Sequence, residues 1–113
     1  MISIGKPFKI AGVQFCDLRG FPQSLPHNQQ VTLRHNPSNA FDKFAIECRV
    51  AGFMIGHIPR TELAVLHHLA KVTEPIVVIT NYDSQVEPYN MFTAQILVPP
   101  TFVLSVPQVA FVQ

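Results

Sequence analysis

The amino-acid sequence predicts a mainly β fold: a small antiparallel β-barrel of about six strands, or a strongly bent sheet, with one or two short helices packed on it. Six short segments are rich in β-branched and aromatic residues, which favour strands. Only one segment shows the three- and four-residue apolar spacing of a helix. Strands and helices do not alternate along the chain, so a parallel sheet is not indicated.

Length and composition place these elements in one domain. The chain has 113 residues, of which 48% are hydrophobic and 13% charged. A chain of this size can bury a core without metal or disulfide links, and disorder would require lower hydrophobicity and higher charge. We predict a single domain over residues 1–113, with a core at about 8–98 and an apolar extension at 99–113.

The first predicted strand covers residues 8–15, where β-forming residues alternate in part with polar ones. Residues 17–28 are rich in Gly, Pro and Asn, which is typical of a surface loop. The second predicted strand, 31–34, alternates apolar and polar residues. Residues 35–39 then combine one proline with two asparagines, a composition that favours a tight turn.

A hairpin is predicted next. Residues 44–50 alternate, with apolar side chains on one face and Glu47 on the other. A two-residue connection containing Gly52 leads into a further strand at 53–58, and such short connections join antiparallel strands.

One helix is predicted to follow this hairpin. Pro59 lies where the first helical turn begins, and proline is favoured there. Leu63 and Leu66 continue the pattern at three-residue spacing, which predicts a helix over 60–71.

The last predicted strands are the β-branched run 75–80 and the segment 92–98. The extension 99–113 carries seven large apolar residues and no charge, and Pro107 excludes it from a central strand. Two interpretations remain for it: packing on the barrel, or binding a partner.

Charge is distributed unevenly along the chain although its net value is only +1. Residues 1–60 carry seven Lys or Arg against three acids, and residues 61–113 carry one against four. A bipolar domain attracts phosphate on one side only. Chance segregation of fifteen charges is the alternative explanation.

Several features bear on location and redox state. Cys16 and Cys48 lack metal-ligand spacing and are predicted to be reduced thiols, with a disulfide as the alternative. The first six residues do not have the pattern of a signal peptide, and no apolar run reaches the roughly 20 residues that span a bilayer. We expect a cytoplasmic or nucleoid-associated protein without a membrane partner.

Two motifs resemble the signatures of a known family. Residues 33–46, LRHNPSNAFDKFAI, contain Pro-x-Asn-x-aromatic-Asp between two strands, and residues 55–60, IGHIPR, lie where the hairpin meets the helix. Residues 12–15, GVQF, are a weaker third match. In this order and separation the motifs resemble those of the HIRAN family, and the resemblance covers about 8–98.

The resemblance implies an OB-like β-barrel that holds the 3′ end of single-stranded DNA. By this resemblance, Phe41 and Asp42 would form the floor of the pocket, and Asp42 would accept a hydrogen bond from the terminal 3′-hydroxyl. Asn39 would shape the turn. A carboxylate accepts a hydrogen bond from a sugar hydroxyl but repels a phosphate, so this residue type would select a free end.

The remaining site residues follow from the same resemblance. Phe15 and Phe92 would stack on terminal bases, which stabilises binding by about 1–3 kcal/mol per base. His57 and Arg60 would contact phosphate, with Gln14 beside them, and an arginine can donate two hydrogen bonds to phosphate oxygens.

This sequence departs from the family pattern at two of these positions and at one neighbouring position. Phe15 stands where tyrosine is common, Gln14 where a basic residue can occur, and Phe44 where asparagine is frequent. Structural roles are alternatives for several residues: Asp42 could cap its turn, the phenylalanines could belong to the core, and His57 could be a structural hydrogen-bonding residue.

Catalysis and metal binding are not predicted. The sequence has no Walker loop, no Gly-x-Ser-x-Gly and no His-Glu-x-x-His motif. Its carboxylates are scattered singly, and the adjacent His67 and His68 would point about 100° apart on a helix, so neither a cofactor nor a metal is expected.

The leading functional prediction is therefore a non-catalytic module for single-stranded DNA ends in DNA repair or processing. A helicase, nuclease or other DNA-processing protein is the expected partner, in a bacterium or a phage. The alternative is a protein–protein adaptor or inhibitor that uses the same fold and the apolar tail.

Overall fold

The computed structural model describes residues 1–101, in which six strands and one α-helix form. The elements in chain order are β1 (Ile2–Lys9), β2 (Gln29–His35), β3 (Ile46–Val50), β4 (Phe53–His57), α1 (Arg60–Val72), β5 (Ile76–Tyr82) and β6 (Phe92–Val98). Short 3-10 turns cover Val13–Phe15 and Pro88–Asn90. Within these residues no helix is long and apolar enough to cross a bilayer.

All six strands belong to one antiparallel sheet, in the order β1-β6-β5-β2-β3-β4. The prediction of a mainly β, antiparallel fold with a helix is confirmed. The two edges of the sheet meet at a single residue pair. Ala11, two residues after the end of β1, and His57 of β4 exchange both backbone hydrogen bonds at 2.8 Å. This one pair does not make a continuous ladder, so closure into a barrel stays a prediction.

The first strand lies earlier in the chain than predicted. β1 ends at Lys9, and Gly12 then adopts a left-handed conformation with φ of 72° before the 3-10 turn. Residues 10–15 therefore leave the ladder, and the predicted strand at 8–15 is wrong over most of its length. A register shift between Ile4 and Phe8 accommodates Pro7, which cannot donate to a ladder.

The β3–β4 hairpin agrees with the alternation in the sequence. Ile46, Cys48 and Val50 are buried, whereas the residues between them are partly exposed. Ala51 and Gly52 have φ of 53° and 82°, the pair of positive values that a tight two-residue hairpin connection requires.

The helix packs its leucines on the sheet. Leu63, Leu66 and Leu69 are buried and join the core cluster that includes Val77 and Ile96. Pro59 occupies the N-cap position, immediately before the helix begins at Arg60. The apolar segment 102–113 lies outside the described residues, so neither interpretation of the tail is tested.

Candidate nucleic-acid interface

The turn between β2 and β3 is shaped by its own side chains. Oδ1 of Asn39 accepts hydrogen bonds from the backbone N–H of Phe41 at 2.8 Å and of Asp42 at 3.0 Å. Oδ1 of Asp42 in turn accepts the N–H of Phe44 at 2.8 Å. Short polar side chains that bond to the backbone two or three residues ahead fix such turns. The predicted roles of Asn39 in shaping the turn and of Asp42 in capping it are both present.

This turn projects an aromatic ring into solvent. The residue Phe41 is 91% exposed, although burial of a phenylalanine stabilises a fold by about 1.5–3 kcal/mol. Its neighbour Asp42 points inward, and only 23% of its side chain is exposed. The turn therefore offers a bare aromatic face next to a partly shielded carboxylate.

The second motif reaches the same place because β4 passes very close to the chain that follows β1. Gly56 has φ of 143°, and a Cβ atom there would collide with the carbonyl oxygen of Ala11 and the side chain of Ile10. Only glycine permits this approach. It lets His57 pair with Ala11, and Gly12 then lies beside the imidazole, where a Cβ atom would be 3.7 Å from Nδ1 of His57.

Arg60 completes the site at the first residue of α1. Its Nε atom lies 3.8 Å from Oδ2 of Asp42, which is an ion-pair distance but too long for a hydrogen bond. The guanidinium is largely exposed and can reorient. Because an exposed pair of this kind contributes little to stability, its charges are available to a ligand.

Five of the eight predicted residues converge on one pocket of about 270 Å³. These residues are Asn39, Phe41, Asp42, His57 and Arg60. Leu63 of the helix and Ile58 add an apolar floor. Two motifs that are separate in sequence thus supply acidic, basic and aromatic groups to the same cavity.

Gln14 and Phe15 lie beside this pocket without lining it. Both are exposed on the 3-10 turn that follows Gly12, and Phe15 is 86% exposed. The turn contacts β4, the strand that carries His57. A second bare aromatic ring therefore lies on the turn that packs against β4, outside the pocket.

The base-stacking role predicted for Phe92 does not fit the structure. This residue is 1% exposed, and its ring stacks on Tyr82 with centroids 5.0 Å apart. Phe21, from the loop 17–28, packs against it edge-on at 5.6 Å. Because both contacts enclose the ring, Phe92 is a core residue, which was the alternative interpretation.

Two histidines that the sequence analysis did not assign to the site hold its turn in place. Nε2 of His35 lies 2.9 Å from the carbonyl oxygen of Lys43, and Nε2 of His67 lies 2.9 Å from that of Phe44. The rings meet edge-on with centroids 5.2 Å apart. No sequence signal pairs a residue at the end of β2 with one on α1, since their contact depends on the tertiary fold.

Cys16 and Cys48 are both free, Cys16 half-buried and Cys48 buried. Burial, and to a smaller extent the nearby Cys16, raise the pKa of Cys48 to about 12. Burial also raises the pKa of Cys16. Within residues 1–101 no group of three or more His, Cys, Asp or Glu side chains is arranged to hold a metal ion.

Comparison with known proteins identifies the family. The model of the HIRAN domain matches residues 7–93, which include all of the motifs and most of the sheet. The chain belongs to the HIRAN family. DNA binding is known for HIRAN domains. The two main family signatures of this chain, residues 33–46 and 55–60, both line the pocket of about 270 Å³ around Asp42, called here the Asp42 pocket.

The fold of this HIRAN domain has a counterpart among solved structures. It resembles the crystal structure of the HIRAN domain of human HLTF with a TM-score of 0.56 and 20% sequence identity, and the match covers 82% of this chain and 73% of that chain. At this identity the likeness establishes the fold alone. No curated protein sequence matches the chain.

Proposed function

We propose that this HIRAN domain binds single-stranded DNA at its free 3′-hydroxyl end and does so without catalysis. The observation that carries the proposal is the placement of Asp42. Its carboxylate lies in a pocket with a bare aromatic ring on one side and Arg60 on the other.

The chemistry of the carboxylate accounts for end selection. Oδ1 is engaged by the Phe44 N–H, whereas Oδ2 faces Arg60 at a distance that leaves it able to accept another hydrogen bond. A terminal 3′-hydroxyl is such a donor. A strand that continues past this point would instead bring a phosphate, and two like charges about 4 Å apart repel by about 1–4 kcal/mol, depending on the local dielectric.

The aromatic rings supply affinity that does not depend on sequence. Phe41 and Phe15 are the two most exposed phenylalanines of the described chain. Phe41 lines the pocket together with His57, and Phe15 lies on the 3-10 turn that contacts β4. Stacking on a base would remove these rings from water and add about 1–3 kcal/mol per base.

Basic and polar side chains complete the proposed contacts. Arg60 can orient its guanidinium toward a phosphate with little loss of ion pairing, because the distance to Asp42 is already long. Of the other two polar side chains, His57 lines the pocket, and Gln14 lies outside it on the 3-10 turn that contacts β4.

A binding role in DNA repair or processing is part of the proposal. The domain would hold an end for a helicase, nuclease or similar protein rather than cut it. A metal-dependent nuclease would require a second carboxylate close to Asp42 to hold its metal ions. The partners of Asp42 in the pocket are instead the Phe44 N–H and the Arg60 guanidinium.

Competition between two kinds of strand end tests the proposal. The binding of short strands ending in a 3′-hydroxyl or a 3′-phosphate is measured by fluorescence anisotropy with the wild type and with Asp42→Asn. We expect the wild type to prefer the hydroxyl by about tenfold, which corresponds to about 1.4 kcal/mol.

The Asp42→Asn variant is chosen because an amide oxygen can still accept the Phe44 N–H and preserve the turn. It lacks the negative charge, so it should bind both ends with similar affinity. Equal binding of the two ends by the wild type, or no binding of either, would refute the proposed function.

A further inference from the structure

Two adjoining cavities follow one side of α1. The larger, of about 550 Å³, is lined by helix residues from Arg60 to Lys71, and the smaller, of about 240 Å³, lies beside the last two turns of the helix. His35 and His67 line both cavities, so the two form one depression, called here the helix trough. At 1.5 Å per residue, the helix wall of this trough is about 16 Å long.

Apolar side chains dominate the smaller cavity. Its described lining consists of five apolar residues and the imidazoles of His35 and His67. Nε2 of each imidazole lies 2.9 Å from a backbone carbonyl oxygen, to which it donates, so this donor is already satisfied. The five apolar residues are Leu33, Ile46, Leu66, Ala70 and Pro75. A segment that fits this cavity is therefore apolar and uncharged.

The larger cavity adds an exposed aromatic ring. Phe44 lines it and is 53% exposed, although the edge of His67 contacts its ring with centroids 5.9 Å apart. Of the charged residues in the lining, Asp42 and Arg60 lie 3.8 Å apart at one end, and Lys71 lies at the opposite end of the helix. The open face of Phe44 thus offers a further apolar contact, because covering it removes apolar surface from water.

The described chain ends close to this trough. Leu97 of β6 is opposite Ile76, the first residue of β5. Ile76 directly follows Pro75, which lines the smaller cavity. Because β5 and β6 are antiparallel, the chain after Leu97 runs towards Pro75. Residues 102–113 therefore begin a few residues from the mouth of the trough.

This last segment matches the trough in chemistry and in length. Residues 102–113 carry seven large apolar side chains and no charge. Twelve residues reach about 18 Å as a helix and about 40 Å when extended, so either conformation can follow the trough from Pro75 to Arg60. Docking would cost this uncharged segment no desolvation of an ionised side chain.

We infer that residues 102–113 dock in the helix trough of the same molecule. The docked segment would cover Phe44 and the apolar lining of the smaller cavity. At the far end it would border Asp42 and Arg60, which also line the Asp42 pocket, and so close the helix side of that pocket. This interface within the chain does not depend on what the Asp42 pocket binds.

Thiol protection tests where the segment lies. Ala70→Cys is introduced at an exposed position of the smaller cavity, in the full chain carrying Cys16→Ser. Its rate of reaction with a maleimide is compared with that of Thr80→Cys, at an exposed position of β5 outside the trough. Cys48 reports unfolding, because a buried thiol with a pKa of about 12 reacts only when the fold opens.

Docking should slow the reaction at the trough. Ala70→Cys should react about tenfold more slowly than Thr80→Cys, because the segment has to leave the trough before the maleimide can enter. Replacing Phe102, Leu104 and Phe111 by serine should abolish this difference, since the segment then loses its largest apolar side chains.

A matched control changes polar residues of the same segment. Ser105→Ala with Gln108→Ala removes two polar side chains but keeps every large apolar one, so the protection of Ala70→Cys should persist. Protection that is independent of protein concentration supports docking within one molecule.

Three outcomes would overturn the inference. The first is equal reaction rates for Ala70→Cys and Thr80→Cys with the wild-type segment. The second is protection that is lost on dilution, which would assign the trough to the segment of another copy. The third is protection that survives the three serine substitutions. If Cys48 shows that the serine variant unfolds, the wild-type rates and their response to dilution decide the question.

Discussion

At the scale of single residues, Asp42 combines two functions that the sequence presents as alternatives. One carboxylate oxygen caps the turn through the Phe44 N–H, and the other lies in the pocket near Arg60. The cap fixes where the second oxygen points. A residue can therefore be structural and ligand-binding at once, and its type alone does not separate the two roles.

Gly56 offers a stability test at the same scale. Gly56→Ala should lower the free energy of unfolding by about 3 kcal/mol or more, because the new methyl group meets the Ala11 carbonyl and Ile10 while the backbone φ stays unfavourable. Urea unfolding measures the loss.

Gly52→Ala is the matched control for this substitution. Gly52 also has a positive φ, of 82°, but no atom lies within 4 Å of a Cβ placed there. Its cost should be only the backbone strain of about 1–2 kcal/mol. Equal losses for the two variants would show that close packing at Gly56 is not what requires glycine.

The phenylalanines show which properties of single residues could be predicted from the sequence and which could not. The turn that carries Phe41 and Asp42 could be predicted, because the asparagines and proline around them encode it locally, but Phe41 projects into solvent instead of forming the predicted pocket floor. The burial of Phe92 could not be predicted, because it is decided by Phe21 and Tyr82, which come from other parts of the chain. Local chemistry predicts a turn, whereas the exposure of a ring depends on distant partners.

At the scale of elements, the strands with clear alternation and the amphipathic helix were predictable, and the first strand was not. Residues 8–15 have β-forming composition, but Gly12 takes a left-handed conformation and ends the extended chain. β1 instead uses residues of weak strand propensity, Gly5 and Pro7 among them, since β6 supplies a partner for them. Tertiary pairing outweighs propensity in such a segment.

Helix α1 and the site turn are coupled through His67. His67→Ala should remove the hydrogen bond to the Phe44 carbonyl, cost about 1 kcal/mol and loosen the turn. Amide hydrogen exchange is expected to quicken at Ala45, whose N–H donates to the Asp42 carbonyl at 3.1 Å.

His68→Ala is the control for the coupling, because His68 is the exposed neighbour on the same helix. It should leave exchange at Ala45 unchanged. If His67→Ala and His68→Ala gave the same exchange rates in the turn, the histidine contact would not be what holds it.

At the scale of the whole molecule, charge segregation in the sequence corresponds to a position in space. Arg60 is the last cation of the basic half and the first residue of α1, and Lys71 is the one cation of the acidic half. Both line a cavity of about 550 Å³ beside α1. The net charge of +1 therefore conceals a local surface that can attract phosphate.

Salt dependence measures this local surface. Arg60→Ala should weaken the binding of all single strands to a similar degree and reduce the slope of log affinity against log salt by about 1. Arg19→Ala is the control, because Arg19 is even more exposed than Arg60 but is already bonded to Asp17 at 2.7 Å. An unchanged slope for Arg60→Ala would show that Arg60 does not contact a phosphate of the bound strand.

The pairing of β1 with β6 also determines the order in which the molecule can assemble. β1 precedes the other five strands in the chain, yet its partner β6 is the last strand of residues 1–101, with Ile2 opposite Val98. The site turn, the hairpin and the start of α1 are contiguous in sequence, so they can form early, whereas contacts between distant segments form slowly. Ala11 follows β1 and forms one wall of the Asp42 pocket by pairing with His57. This wall should therefore form last, when β1 is fixed by its pairing with β6. During synthesis, the turn that carries Asp42 would form before the pocket around it was complete.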